Sequence, residues 1–342
     1  MNSLLGIGLL VALGLGVHLM ASLRARMLLR GPSPFSTDEL ERVPSGRVET
    51  IVCADGTRLW AVVAGVGPTV VFAHGYGLSM RTWSLVWPRL LAAGYRVIAF
   101  DHRGHGRSTI GRSGVRLSVM ADDMLEVIEH FDVCDGIVVG HSLGGLLALR
   151  MSADHPEIVR RRVRRLVLIG AGAGHLARRA PQFRLQAPLL RSGLLEVMAN
   201  TPPYRWLIAS AVFGRVPAPE SMRAFVNDYW AQDQHGLLDL LSDLVHESDY
   251  DRLYVVPVPC VLLFGASDRV VPRWHFDALR RGLPRSLVVE LPSVGHMVPW
   301  EHPQAIIEAV EASANRAATG TAGVEDKPTR GPDAPPTTAQ PR

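Results

Sequence analysis

Lysine is almost missing from this 342-residue chain: Lys327 is its one lysine, and the net charge of +4 rests on arginines scattered without a basic run. Charge of that kind leaves no electrostatic footprint for nucleic acid, which is not an expected partner. Cysteine is also scarce. Cys53, Cys134 and Cys260 are an odd set, far apart, with no C-x-x-C and no Cys/His spacing that would hold zinc. Their apolar flanks predict three small core hydrophobes and no disulfide framework. Internal repeats are absent, and 47% hydrophobic residues with 32 Gly and 24 Pro exclude collagen-like, coiled-coil and wholly disordered chains. What remains is a globular protein of α/β or α+β type.

Charge is missing locally as well. From Leu4 to Leu23 there is no Asp, Glu, Lys or Arg, and a helix of about 20 residues spans about 30 Å, the thickness of a bilayer core. A cleaved leader would carry Lys or Arg ahead of a shorter apolar run, and nothing basic precedes Leu4. Gly6, Gly8, Gly14 and Gly16 weaken a helix in water but are tolerated in lipid. Residues 1–30 therefore predict a single-pass N-terminal membrane anchor with a basic flank; secretion after signal-peptide cleavage is the alternative. Arg24, Arg26 and Arg30 follow the run, so the positive-inside rule puts the body of the chain on the cytoplasmic side. Residues 31–46, with Pro32, Pro34, Pro44 and Gly46, read as a linker. Residues 315–342, rich in proline and poor in bulky apolar side chains, read as a disordered tail.

Between linker and tail, short β-rich runs alternate with helical stretches. The clearest runs are 69–73, 95–100, 136–139, 166–169, 261–264 and 287–291, mostly continuous apolar stretches of the kind buried on both faces by crossover helices. Helical patterns intervene at 84–93, 118–131, 143–153 and 303–312. This is a mostly parallel sheet flanked by helices. Residues 175–253 break the alternation: they carry Phe183, Trp206, Phe213, Phe225 and Trp230 at helical spacing and no convincing strand, and read as a helical cap inserted between sheet strands. The core is then 47–174 together with 254–314.

The sharpest chemical signal is Gly140-His141-Ser142-Leu143-Gly144, between an apolar run and a helical one. A serine hydroxyl is a weak nucleophile unless it is held exposed beside a base, and a tight strand-to-helix turn flanked by small residues does that. The same turn aims the Leu143 backbone N–H, at a helix N-terminus, toward developing negative charge. A second donor is expected from the Tyr76 backbone N–H in His74-Gly75-Tyr76-Gly77, where His74 reads as a brace for the turn. A base and an orienting carboxylate follow in Ser293-Val294-Gly295-His296 and Gly265-Ala266-Ser267-Asp268, each after a strand run. In a parallel sheet all these loops open on the carboxyl edge, so residues distant in sequence converge there. His296 would take the Ser142 proton and Asp268 would fix its tautomer. Asp251 and Asp277 are the competing carboxylates, and neither follows a strand.

Together with Asp101-His102-Arg103-Gly104-His105-Gly106-Arg107-Ser108, these motifs resemble the α/β-hydrolase superfamily over about residues 47–314, in its branch of serine esterases, lipases and haloperoxidase-like esterases. The resemblance implies an eight-stranded sheet, a cap after the sixth strand, and catalysis with neither metal nor organic cofactor. Ser142 stands where epoxide hydrolases and haloalkane dehalogenases carry aspartate, which argues against their chemistry. The long glycine-rich HGGG motif of one lipase subgroup is missing. The expected activity is hydrolysis of carboxylic esters, with a small apolar or lipid-like ester as substrate. An acyltransferase or perhydrolase using the same acyl-enzyme, and a non-catalytic receptor on the same fold, are the alternatives.

Overall fold

The apolar runs become strands. The computed structural model describes residues 2–176 and 182–315. In it β1 (Arg47–Val52), β2 (Arg58–Ala64), β3 (Thr69–Ala73), β4 (Arg96–Phe100), β5 (Gly136–His141), β6 (Val163–Ile169), β7 (Cys260–Gly265) and β8 (Leu287–Leu291) form one eight-stranded sheet. Its order is β1-β2-β4-β3-β5-β6-β7-β8. The β1–β2 and β2–β4 pairs are antiparallel, and every pair from β4 through β8 is parallel. The mostly parallel α/β reading therefore holds.

Continuous burial follows from position in the sheet. Every residue of β3 and of β5 is buried, because helices cover both faces. One face packs Phe100, Leu117, Leu147 and Leu166 under the helices Leu117–His130 and Leu143–Asp154. The other packs Phe72, Trp83, Trp87 and Ile306 under Trp87–Ala92 and Pro303–Asn315. Each such side chain contributes about 1.5–3 kcal/mol by leaving water. β8 departs from the pattern: it is an edge strand, and its Val288 and Val289 are exposed. An apolar run does not encode whether a strand lies at the centre or the edge.

Cys134 also departs from expectation. Cys53 and Cys260 are buried, but Cys134 is exposed, because it sits in the turn between the helix ending at His130 and β5, where the chain returns to the surface.

Between β6 and β7 the chain forms helices Gln182–Arg191, Leu194–Asn200, Tyr204–Ser210, Pro219–Trp230 and Leu238–His246. This helical insertion has its own apolar cluster, in which Phe213, Met222 and Phe225 meet Leu78, Met297 and Trp300 of the sheet's loops. Leu40, fully buried, joins it from the turn Thr37–Leu40, where the Ser36 hydroxyl accepts the Glu39 N–H. The chain leaving the insertion is tied down where Arg150, on the helix after β5, pairs with Asp249 at 2.7 Å and with Glu247.

Asn2–Leu28 is a helix of 27 residues. Its Ala21 and Ala25 are buried, and His18 meets the ring of Tyr204 edge-on at 5.8 Å, so the helix lies against the insertion. Among the described residues no helix is long and apolar enough to cross a membrane; residues 1–12, which carry the first part of the uncharged run, lie outside the described side chains. The tail beyond residue 315 lies outside the described residues altogether.

Candidate active site

Ser142 sits where β5 turns into the helix Leu143–Asp154, with φ 52° and ψ −111°. A non-glycine residue at positive φ is held there against its own preference, by about 1–3 kcal/mol, and such positions cluster at functional sites. The sequence makes the turn possible through its small residues. A Cβ on Gly144 would lie 2.2 Å from the Ala73 carbonyl oxygen, and one on Gly140 would lie 2.5 Å from the Gly144 backbone. Side chains at either place would push β5, β3 and the helix apart. The Ser142 N–H donates to the Ile169 carbonyl at 2.8 Å, which fixes the turn to β6.

The structure brings Asp268 and His296 together. The Nδ1–H of His296 donates to Oδ2 of Asp268 at 2.8 Å, and Asp268 is fully buried at that contact. The other oxygen of Asp268 accepts from the Val270 and Val271 N–H groups at 2.8 and 2.9 Å. This carboxylate is thus both a cap for its own loop and the partner of His296. With Nδ1 protonated, Nε2 keeps its lone pair for a proton. Among the described residues Ser142 Oγ and His296 share no hydrogen bond, but both line one cavity of about 330 Å³. In resting enzymes such bonds are often long and close only with substrate. Asp251 lies in the 3₁₀ turn Tyr250–Val255 and Asp277 pairs with Arg273 on the surface, so neither reaches the histidine.

Both expected oxyanion donors are free. Neither the Tyr76 nor the Leu143 backbone N–H makes a hydrogen bond among the described residues, and both residues line the cavity beside Ser142. The turn carrying Tyr76 is braced by three buried histidines. His74 donates from Nδ1 to the Gly75 carbonyl at 2.9 Å and accepts the His102 N–H at 3.0 Å. His105 accepts the Gly77 N–H at 3.1 Å and donates to the Arg103 carbonyl at 3.0 Å. Burial lowers all three, His102 to about 3 and His105 to about 4, so they act as neutral struts. Asp101 is part of the same scaffold: it accepts the Met80 N–H at 2.8 Å and the Arg107 N–H at 2.9 Å, and burial raises it to about 6.

Three contributors carry no local signal in the sequence. Nε2–H of His141 donates to the carbonyl of His296 at 3.0 Å, joining the residue before Ser142 to the opposite loop. Asp228, on the insertion helix Pro219–Trp230, accepts the Ser79 N–H at 2.9 Å and its hydroxyl at 2.7 Å, latching the insertion to the loop after Tyr76. Glu301 binds the loop that carries His296. His141 and Asp228 pair with residues about 150 positions away, and Glu301 also reaches Gly214, 87 positions away, which periodicity cannot reveal.

The cavity floor is the carboxyl edge of the sheet and its roof is the insertion, with Val212, Phe225, Val226, Tyr229 and Trp230 facing Ser142. Such a lining suits an apolar group beside the Ser142 hydroxyl and excludes water from it. Among the described residues no group of three or more His, Cys, Asp or Glu side chains could hold a metal ion.

Residues 68–303 match the family described as alpha/beta hydrolase fold. The chain is 30% identical over 237 residues to a non-heme haloperoxidase of Rhodococcus erythropolis, covering 65% of this chain and 82% of that protein. An esterase from Exiguobacterium antarcticum superposes with a TM-score of 0.70 at 23% identity, over 79% of this chain and 100% of that one. A bromoperoxidase from Bacillus anthracis does so with a TM-score of 0.69 at 21% identity, again over 79% and 100%. At those identities the two structures speak for the fold alone.

Proposed function

This chain belongs to the α/β hydrolase fold family, and on that premise we propose that it is a serine hydrolase of carboxylic esters with a hydrophobic acyl or alkyl group. The observation that carries the reading is Ser142 on its strained turn in the same apolar cavity as His296, whose other nitrogen is bonded to Asp268. In the proposed reaction Nε2 of His296 takes the hydroxyl proton as Ser142 Oγ attacks the ester carbonyl. The oxyanion is held by the Tyr76 and Leu143 N–H groups. The imidazolium returns the proton to the leaving alcohol, and water then releases the acid by the same steps.

The test is a fluorophosphonate, which should label the wild type and not Ser142→Ala, together with hydrolysis of p-nitrophenyl esters of increasing acyl length. An unlabelled wild type that turns over none of the series sinks the reading in favour of a receptor on this fold. The haloperoxidase relative gives a second reading a basis: hydrogen peroxide in place of water at the acyl-enzyme would yield a peracid, and the ratio of peracid to acid formed at fixed peroxide separates the two.

The uncharged run Leu4–Leu23 is proposed to anchor the chain in a membrane, with the hydrolase on the cytoplasmic side. Its described part supports this: Leu13, Leu15, Leu19 and Met20 are each at least 60% exposed, a costly arrangement in water. The helix also lies against the insertion that roofs the cavity, which suits esters dissolved in the bilayer. The full-length protein should remain with membranes through high salt and alkaline carbonate, since burial and not screened charge holds it. Deleting residues 1–30 should release a soluble enzyme that keeps its turnover of short soluble esters but loses turnover of vesicle-borne ones. Full-length protein recovered in the soluble fraction overturns the anchor, and a mature chain starting near Ala21 makes the segment a cleaved signal.

A further inference from the structure

Glu301 ends the short helix Val298–Glu301 behind the His296 loop, and the reaction as written gives its carboxylate no part. Both of its oxygens are nonetheless engaged. The Gly295 N–H donates to Oε1 at 2.9 Å, and the Gly214 N–H donates to Oε2 at 2.7 Å. Gly295 directly precedes His296, and Gly214 lies in the insertion between Tyr204–Ser210 and Pro219–Trp230. One carboxylate therefore bridges the histidine loop and the roof of the cavity.

Backbone bonds run beside this bridge. The His296 and Met297 N–H groups donate to the Val212 carbonyl at 2.9 and 3.3 Å, and the Arg215 N–H donates to the Ser293 carbonyl at 3.1 Å. The fit is close enough to require glycine: a Cβ on Gly214 would lie 2.0 Å from the Ser293 carbonyl oxygen and 2.8 Å from Oε2 of Glu301. Met297 and Trp300 are buried in the same apolar cluster as Phe213 and Phe225. Val212 lines the cavity. The short segment around it thus touches the substrate space on one side and holds His296 on the other.

We propose that Glu301 is a positioning residue that seats His296 against the insertion, so that the alignment of the histidine depends on how the roof sits over the substrate. This deepens the reading of the chain as a serine ester hydrolase and rests on it. Among the described residues the ionisable side chains acting on Glu301 are Asp268 and His296; His141, on β5, lies against the His296 ring and is kept neutral by burial, which lowers it to about 3. Burial above all, with the Asp268 carboxylate, pushes Glu301 up to about 7 against the pull of its two N–H donors and of His296.

Glu301→Gln keeps the shape but turns an amide N–H₂ toward one of the two N–H donors. On an activated short-chain ester, kcat per fluorophosphonate-titrated site should fall about 10- to 100-fold with KM within about threefold. The acid limb of kcat/KM should change shape, because the amide cannot take up the proton that Glu301 takes up around neutrality. A merely structural role would reduce the number of titratable sites and leave kcat per site and the limb in place. A kcat per site within about twofold of wild type, or an acid limb of unchanged shape, overturns the proposal. In wild type the amide proton signals of Gly214 and Gly295 should shift together with pH around neutrality as Glu301 takes up its proton. Amides that do not titrate together overturn it even where the variant fails to fold. Absence of labelling at Ser142 in wild type sinks the ester hydrolase reading instead, and the amide titration still decides the bridge.

Discussion

Replacing Ser142 with alanine should lower kcat on a p-nitrophenyl ester by about 10⁴-fold or more while the fold survives. The change removes one oxygen from a side chain that makes no hydrogen bond among the described residues, so little stability is at stake. The turn itself is held by the Ser142 N–H on Ile169 and by the tight approach of Gly144 to Ala73, and both persist in the variant. His296→Ala should be as damaging. The double variant should be scarcely worse than either single one, because nucleophile and base act as a unit. Thermal melting close to wild type, alongside steady-state rates, separates lost chemistry from lost fold. Near-wild-type turnover by a folded variant of either residue would remove it from the mechanism.

Asp268→Asn should also cost about 10⁴-fold in kcat, for a different reason. An asparagine can still accept the Val270 and Val271 N–H groups through its amide oxygen, so the loop keeps its shape. Its N–H₂ then points at Nδ1 of His296, where the carboxylate had accepted a hydrogen bond. The imidazole is driven to the tautomer with the proton on Nε2, and the nitrogen facing the cavity can no longer take the serine proton. The imidazolium also loses its buried counter-charge. The expected outcome is a folded protein, labelled by fluorophosphonate far more slowly than wild type. Full activity in Asp268→Asn would move the orienting role to another carboxylate.

Much of this architecture was legible in the residues because it is local. Six apolar runs became strands, the alternation of strand and helix gave a parallel sheet, and a serine flanked by glycines became a strained turn at a strand's end. The meeting of Asp268 with His296 was also readable, since the carboxyl edge of such a sheet collects the loops that follow its strands. The exposure of Cys134 and of Val288 and Val289 was not, because an apolar neighbourhood in sequence does not say whether a residue stands at the edge or in the middle of the structure. Nor were His141, Asp228 and Glu301, whose partners lie on other elements. Their side chains are ordinary strand and helix residues until the chain closes around them.

The sheet order has a consequence for the making of the protein. Ser142 follows β5, whereas Asp268 and His296 follow β7 and β8, and the whole helical insertion separates β6 from β7 in sequence. Closing β7 onto β6 spans a long loop, and contacts so distant in sequence are the slow ones to form. During synthesis, a growing chain that has reached only the insertion carries Ser142 and the residues of the first six strands but neither Asp268 nor His296. On the proposed mechanism such a chain has no activated nucleophile, and activity would come only once the last two strands have been added.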